Sequence, residues 1–197
     1  MDSYKTLKFV LKPIFKILYR PTIINKEKIP TEKAFIFAGN HKNALDPALV
    51  ALSTKRTVRF LAKKELLEGR TKLFFKAVKA IPVDRKHTSV SAVDTAIKIL
   101  KDNGVISLFP EGTRNKTNKI LLPFKFGAVS MAQKTKSPIV PFAITGDYKL
   151  FRKGIKIEFG EPIDISKMEL QEANEYLMQK VEELIKKNIN GVKQWDM

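Results

Sequence analysis

The sequence predicts an α/β fold: a single domain whose central sheet is largely parallel and flanked by helices, with an amphipathic helical segment at its N-terminus. Three observations predict it. Apolar runs of strand length recur at 34–38, 105–109 and 139–145, too short for helices. Between such runs lie stretches of helical period, clearest over 89–102, where Val90, Val93, Ile97 and Leu100 share one face. Turn signals close these elements at Gly39-Asn40, Asn103-Gly104 and Gly146. Strands alternating with helices build a parallel sheet with helices on both faces. Such sheets bind ligands beyond the carboxyl ends of their strands.

Bulk properties narrow the possibilities. At 197 residues and 44% hydrophobic, the chain suits one domain with a sizeable core. Lysine and arginine total 37 against 20 acidic residues, a net charge of +17. A field of that sign attracts nucleic acid, anionic lipid headgroups or phosphorylated substrates. The absence of cysteine excludes disulfides, a cysteine nucleophile and thiolate metal sites. With His41 and His87 as the whole histidine complement, a histidine-rich metal centre is not expected. Neither a metal nor a cofactor is therefore predicted. No apolar run reaches the length of a membrane span. The first residues do not follow a secretion-signal pattern, because Lys8, Lys12 and Lys16 interrupt them.

Residues 1–20 form a basic amphipathic segment distinct from the domain at 21–197. Leu7, Val10, Leu11, Ile14, Ile17 and Leu18 fall on one helical face, with Phe9 and Phe15 at its flanks and lysines largely off it. A basic helix with an aromatic-rich apolar face suits a membrane interface. Pro13 is expected to kink it or split it in two. Ile23-Ile24 reads as an edge strand, 34–39 as the central strand, and about 47–54 as a helix. A strand over 58–62, a basic helix over 70–79 and an extended piece at 80–83 follow; Pro82 suggests an edge or a bulge there. After the 89–102 helix come a strand at 105–109, a helix at 126–135, and strands at 139–145 and 155–159. Leu170, Ala173, Leu177, Val181, Leu184 and Ile185 define a C-terminal helix.

Two loops carry the chemistry. The central strand breaks at Gly39-Asn40 and delivers His41; five residues on comes Asp46, followed by Pro47. Both lie on one strand-to-helix loop, within reach of each other. An imidazole oriented by a carboxylate draws a proton from a hydroxyl. At this point the plainer reading stands beside it, with Asp46 as a helix N-cap and His41 as a polar loop residue. The second loop, Phe109-Pro110-Glu111-Gly112-Thr113-Arg114, leaves another strand at the same end of the sheet.

Together, Asn40-His41-x-x-x-x-Asp46 and Phe109-Pro110-Glu111-Gly112-Thr113-Arg114 resemble the glycerolipid acyltransferase family. Ala62-Lys63-Lys64-Glu65-Leu66 with Pro82-Val83-Asp84-Arg85 is similar to its second motif. Pro123-Phe124-Lys125, Gly127-Ala128 and Pro138-Ile139-Val140-Pro141 are similar to its fourth block. One departure falls in the second motif, where Lys79-Ala80 stands in place of an expected glycine; it bears on acyl-chain preference rather than reaction class.

The resemblance implies transfer of an acyl group from a thioester, carried by acyl-carrier protein or coenzyme A, to the free hydroxyl of 1-acyl-glycerol-3-phosphate (lysophosphatidic acid). His41 is the expected base and Asp46 its orienting partner. With no cysteine and no G-x-S-x-G elbow, direct attack of the acceptor hydroxyl is the simplest route. Backbone amides at the helix start after Asp46 are candidates for holding the oxyanion. Lys63, Arg85 and Arg114 are the expected phosphate cradle, Arg114 through a bidentate pair. Glu111, Gly112 and Thr113 are implied at the glycerol-phosphate site. Peripheral, monotopic attachment to the cytoplasmic face of the cell membrane, through an anionic surface, completes the expectation. The same chemistry on glycerol-3-phosphate or another lysolipid stands as the alternative, as does a non-catalytic basic membrane- or nucleic-acid-binding protein. No recognised nucleic-acid module is present, so no nucleic-acid partner is expected.

Overall fold

The computed structural model describes residues 3–68, 72–83 and 90–193. Seven strands form one sheet in the order β1-β7-β6-β2-β5-β3-β4. They are β1 (Thr22–Ile24), β2 (Phe35–Gly39), β3 (Val58–Lys63), β4 (Ile81–Val83), β5 (Val105–Leu108), β6 (Ile139–Thr145) and β7 (Lys156–Phe159). Strands β6, β2, β5, β3 and β4 run parallel; β7 is antiparallel to β6, and β1 runs with β7. The largely parallel sheet, the central place of β2 and the edge positions of β1 and β4 match the sequence-based expectation.

The period of two sorts the core into layers. Ile36 and Ala38 of β2 face the helices α4 (Val90–Lys101), α5 (Gly127–Thr135) and α6 (Leu170–Lys193). Phe35 and Phe37 face the other way, toward α1 (Ser3–Tyr19) and α2 (Asp46–Ser53). A further helix, α3 (Lys72–Ala77), lies beside α1. Strand β2 is buried along its whole length, so its apolar run is continuous rather than alternating, as in a sheet covered on both faces.

One expectation about α1 is corrected: the helix is continuous through Pro13, so proline does not split it in two. Of the apolar stripe expected to face a membrane, Leu7, Leu11 and Leu18 are half-buried. Tyr4 and Phe15 are buried, whereas Val10, Ile14 and Ile17 are exposed together with Phe9, which is 82% exposed. The helix is apolar around most of its circumference. The aromatic side docks on the domain, where Tyr4 Oη accepts the Val58 amide at 3.1 Å. At helical spacing Phe9, Pro13, Ile17, Val10 and Ile14 fill one solvent-facing arc, with Lys5, Lys12 and Lys16 along its edge. Among the described residues, no helix is long and apolar enough to cross a membrane.

Candidate active site

The parallel strands deliver their following loops to one end of the sheet, and the two motif loops meet there. At the end of β2, Gly39 passes directly beneath Phe142 of β6. A Cβ at 39 would sit 2.2 Å from the Phe142 carbonyl oxygen, so glycine is required. The next residue, Asn40, ends the ladder with its side chain. Its Oδ1 accepts the Ile144 amide at 2.7 Å and its Nδ2 donates to the Ile144 carbonyl at 2.9 Å. The primary amide thus replaces the peptide that β2 would have offered, and the backbone is released to turn toward His41.

Asp46 organises this turn. It is fully buried, and four donors converge on its carboxylate. Oδ2 accepts His41 Nδ1–H at 2.9 Å, the Lys42 amide at 2.7 Å and the Asn43 amide at 2.7 Å. Oδ1 accepts the Tyr148 hydroxyl at 2.8 Å. Three of the four donors share Oδ2 and the fourth takes Oδ1, so both oxygens of the carboxylate are engaged. The N-cap reading is therefore corrected: Leu45 holds the cap position without a side-chain cap bond, and Asp46 is already helical. The carboxylate turns back over the preceding loop instead of forward over the helix. The amide expectation for an oxyanion is narrowed too. Asp46 N–H is bonded to Asn43 O at 3.2 Å, and Pro47 has none.

The His41 ring is held on two sides. Nδ1 donates to the acceptor-only Asp46, which places the ring's remaining lone pair on Nε2. The ring stacks on Phe109 at a centroid distance of 4.0 Å, and Phe109 in turn meets the edge of Phe142. The side chain is 18% exposed, so the site opens to solvent beside the imidazole.

The second loop grips the peptide of His41. Glu111, 4% exposed, accepts the His41 amide on Oε1 at 2.8 Å and the Leu122 amide on Oε2 at 2.9 Å. Burial pushes its carboxyl up from the usual range, and the Leu122 and His41 amides pull it partly back. Asn115 N–H donates to His41 O at 2.7 Å. The segment from Glu111 to Asn115 therefore closes on both the N–H and the C=O of one residue. Gly112 has φ +69°, and a Cβ there would lie 2.8 Å from Lys125 Cε. Thr113 and Arg114 are exposed within this gripping segment.

Of the expected site residues, His41, Asp46, Glu111, Gly112, Thr113 and Arg114 come together. Lys63 ends β3 at the same edge of the sheet, its backbone paired with Val83. Arg85 lies outside the described residues, as does His87. Sequence reasoning missed Tyr148 and the site position of Lys125. The signal for Tyr148 was its place two residues beyond Gly146, on the loop leaving the carboxyl end of β6. For Lys125 it was the Pro123-Phe124-Lys125 block itself.

This arrangement places a hydrogen-bonded imidazole and carboxylate on one β-to-α loop of a parallel sheet, clamped by a second loop that carries an exposed arginine. Comparison with known proteins supplies the class. The acyltransferase family model matches residues 20–145, more than half of the chain. The 1-acyl-sn-glycerol-3-phosphate acyltransferase of Bacillus subtilis (strain 168) is 34% identical over 92% of this chain and 96% of its own length. An enzyme of the same name from Streptococcus pneumoniae is 34% identical over 72% of this chain and 55% of its own length. The crystal structure of the 1-acyl-sn-glycerophosphate (LPA) acyltransferase PlsC from Thermotoga maritima superposes with a TM-score of 0.72 at 27% identity. That match covers 91% of this chain and 80% of the other. The chain belongs to the acyltransferase family and is an enzyme of that class.

Proposed function

We propose that this enzyme transfers a fatty acyl group from a thioester to the free hydroxyl of 1-acyl-glycerol-3-phosphate, forming phosphatidic acid for phospholipid synthesis. The observation that carries the reading is the His41–Asp46 pair, with Nδ1 committed to the carboxylate at 2.9 Å, which leaves the ring's free lone pair on Nε2. Named relatives of this activity supply the substrate class.

In the proposed reaction, His41 Nε2 takes the proton of the acceptor hydroxyl as its oxygen attacks the thioester carbonyl. The carbon–oxygen bond forms and a tetrahedral intermediate results. Its collapse breaks the carbon–sulfur bond, and the leaving thiolate recovers the proton from the imidazolium. No acyl-enzyme is needed. Asp46 holds the tautomer and stabilises the imidazolium. Arg114, with Lys63 and Arg85, binds the acceptor phosphate, and guanidinium is the better match to its geometry. The end of the Lys125 side chain lies over Gly112, and its ammonium adds a further cation at the second loop. Gly112 and Thr113 line the approach of the glycerol-phosphate. Glu111 acts through the backbone it holds. The thioester is borne by acyl-carrier protein or coenzyme A.

Both lipids reside in a bilayer, so the enzyme works at a membrane surface. The reading takes 1–20 as the membrane-surface segment and 21–197 as the catalytic domain, attached peripherally on the cytoplasmic face. Its support is the exposed arc of Phe9, Val10, Ile14 and Ile17 with its bordering lysines.

The test is direct. Purified protein and His41→Ala are incubated with lysophosphatidic acid and each thioester, and phosphatidic acid is followed by mass spectrometry. Parent turnover with a loss of about a hundredfold or more in the folded variant is expected. Equal turnover by both would remove His41 as the base. No turnover by the parent with either donor would point to another acceptor.

A further inference from the structure

The loop leaving β6 touches the site from a side that the two motif loops leave open. Tyr148 sends its hydroxyl to Asp46 Oδ1 at 2.8 Å. The other three donors all reach Oδ2. Among the described residues, Tyr148 is thus the one donor recorded on Oδ1. The torsion that rotates a carboxylate is soft and roughly two-fold. Rotation about Cβ–Cγ moves both oxygens together, so the bond on Oδ1 opposes from the far side any turn that would carry Oδ2 away from His41. The phenol is suited to a permanent donor's role, because burial and the adjacent Asp46 charge push its ionisation far above the usual range.

The ring itself is braced from α1. Tyr19 meets it edge-on at 5.5 Å and Phe15 at 6.3 Å. The same loop is tied to α1 by Phe151 N–H donating to Leu18 O at 2.5 Å. It is tied to the His41 loop by Lys42 Nζ donating to Gly146 O at 2.7 Å. A continuous set of contacts therefore runs from α1 through Tyr148 to the carboxylate.

We propose that Tyr148 is a positioning residue for the acyl-transfer reaction, fixing the Asp46 carboxylate that orients His41, and that α1 holds Tyr148 in place. This rests on the reading of His41 and Asp46 as base and orienting partner. Tyr148 touches neither substrate in this scheme; it acts through Asp46.

The experiment compares the full chain with Tyr148→Phe, Asp46→Asn and the double variant, measuring kcat and KM for lysophosphatidic acid. Tyr148→Phe keeps the ring and removes the hydroxyl. A hydrogen bond to a charged group is at stake, so kcat is expected to fall about tenfold with KM unchanged within about twofold. In the Asp46→Asn background the same change is expected to cost less than about twofold, since residues acting as a unit are non-additive. A merely structural tyrosine would show the same fractional loss in both backgrounds, and that result would overturn the proposal, as would an unchanged kcat in Tyr148→Phe. If Asp46→Asn itself turns over like the parent, the underlying reading fails instead. Should Tyr148→Phe not fold, Tyr19→Leu carries the test, since it leaves the hydroxyl and removes the brace. A fall of about threefold in kcat at constant KM, absent in the Asp46→Asn background, supports the proposal, and no fall overturns it.

Discussion

Glu111, expected at the glycerol-phosphate site, has its carboxylate engaged by the backbone. Both of its oxygens are occupied by the amides of His41 and Leu122. A side chain so engaged governs where the His41 peptide sits. Glu111→Ala would leave two N–H groups in a mostly buried pocket without acceptors. Each stranded donor costs about 1–3 kcal/mol, so a loss of about 2–6 kcal/mol in unfolding free energy is expected by urea titration, together with a large loss of turnover in the folded fraction. A variant as stable as the parent would show that water replaces the carboxylate at no cost. The residue pattern announced His41 and Asp46 because their spacing on one loop is local. It did not announce that Asp46 would face backward, because Asp before Pro at a helix start reads equally as a cap. For Tyr148 the spacing gave only a loop after a strand; that it meets Asp46 across 102 residues of chain follows from β2 and β6 being neighbours.

Among elements, the strands and the major helices were readable because their periods are strong: β2 and β6 are buried throughout, and α4 carries one clean apolar face. The helix α1 was harder, since an apolar residue there serves either the core or the solvent-facing arc and spacing alone does not say which. Its docked side contains a lysine whose titration reports the packing. Lys8 Nζ donates to Arg56 O at 2.8 Å and lies 5.5 Å from the Tyr4 ring centroid. Burial, then the charges of Lys12 and Lys26, lower its pKa from 10.5 to about 8. Between those values the folded lysine is mostly neutral while the unfolded one is charged, so the unfolded state holds more protons. Stability from this group then rises with pH across about 8 to 10.5 and is lost as the pH falls through 8. Lys8→Met is expected to remove that component. The measurement is the difference in urea midpoint between parent and variant at several pH values; a difference that stays constant across the window would mean that α1 does not dock with Lys8 shielded from water.

For the whole molecule, a charge of +17 and an exposed apolar arc on α1 give two attractions of different range. The electrostatic one acts over about a Debye length, roughly 10 Å at 0.1 M salt, and adds about 1 kcal/mol per lysine held near an anionic surface. The apolar one needs contact, adds about 1.5–3 kcal/mol for each large side chain fully buried, and is insensitive to salt. On the proposed reading, Phe9, Ile14 and Ile17, all exposed on α1, supply it. Leu150 and Phe151, exposed between Lys149 and Arg152 on the loop tied to Leu18, stand at the far end of the same helix. Recruitment by charge followed by anchoring through contact predicts a particular pattern in sedimentation with vesicles. The parent should bind anionic phospholipid vesicles strongly at low salt, bind neutral ones weakly, and keep a residual anionic binding when salt is raised to about 0.5 M, where screening has removed most of the long-range term. Replacing Phe9 and Ile17 together by serine should abolish that residue while leaving most of the low-salt binding. Binding that vanishes completely with salt in the parent would make the attachment purely electrostatic and leave the α1 arc without a role. Unchanged high-salt binding in the double variant would move the contact to another face of the domain.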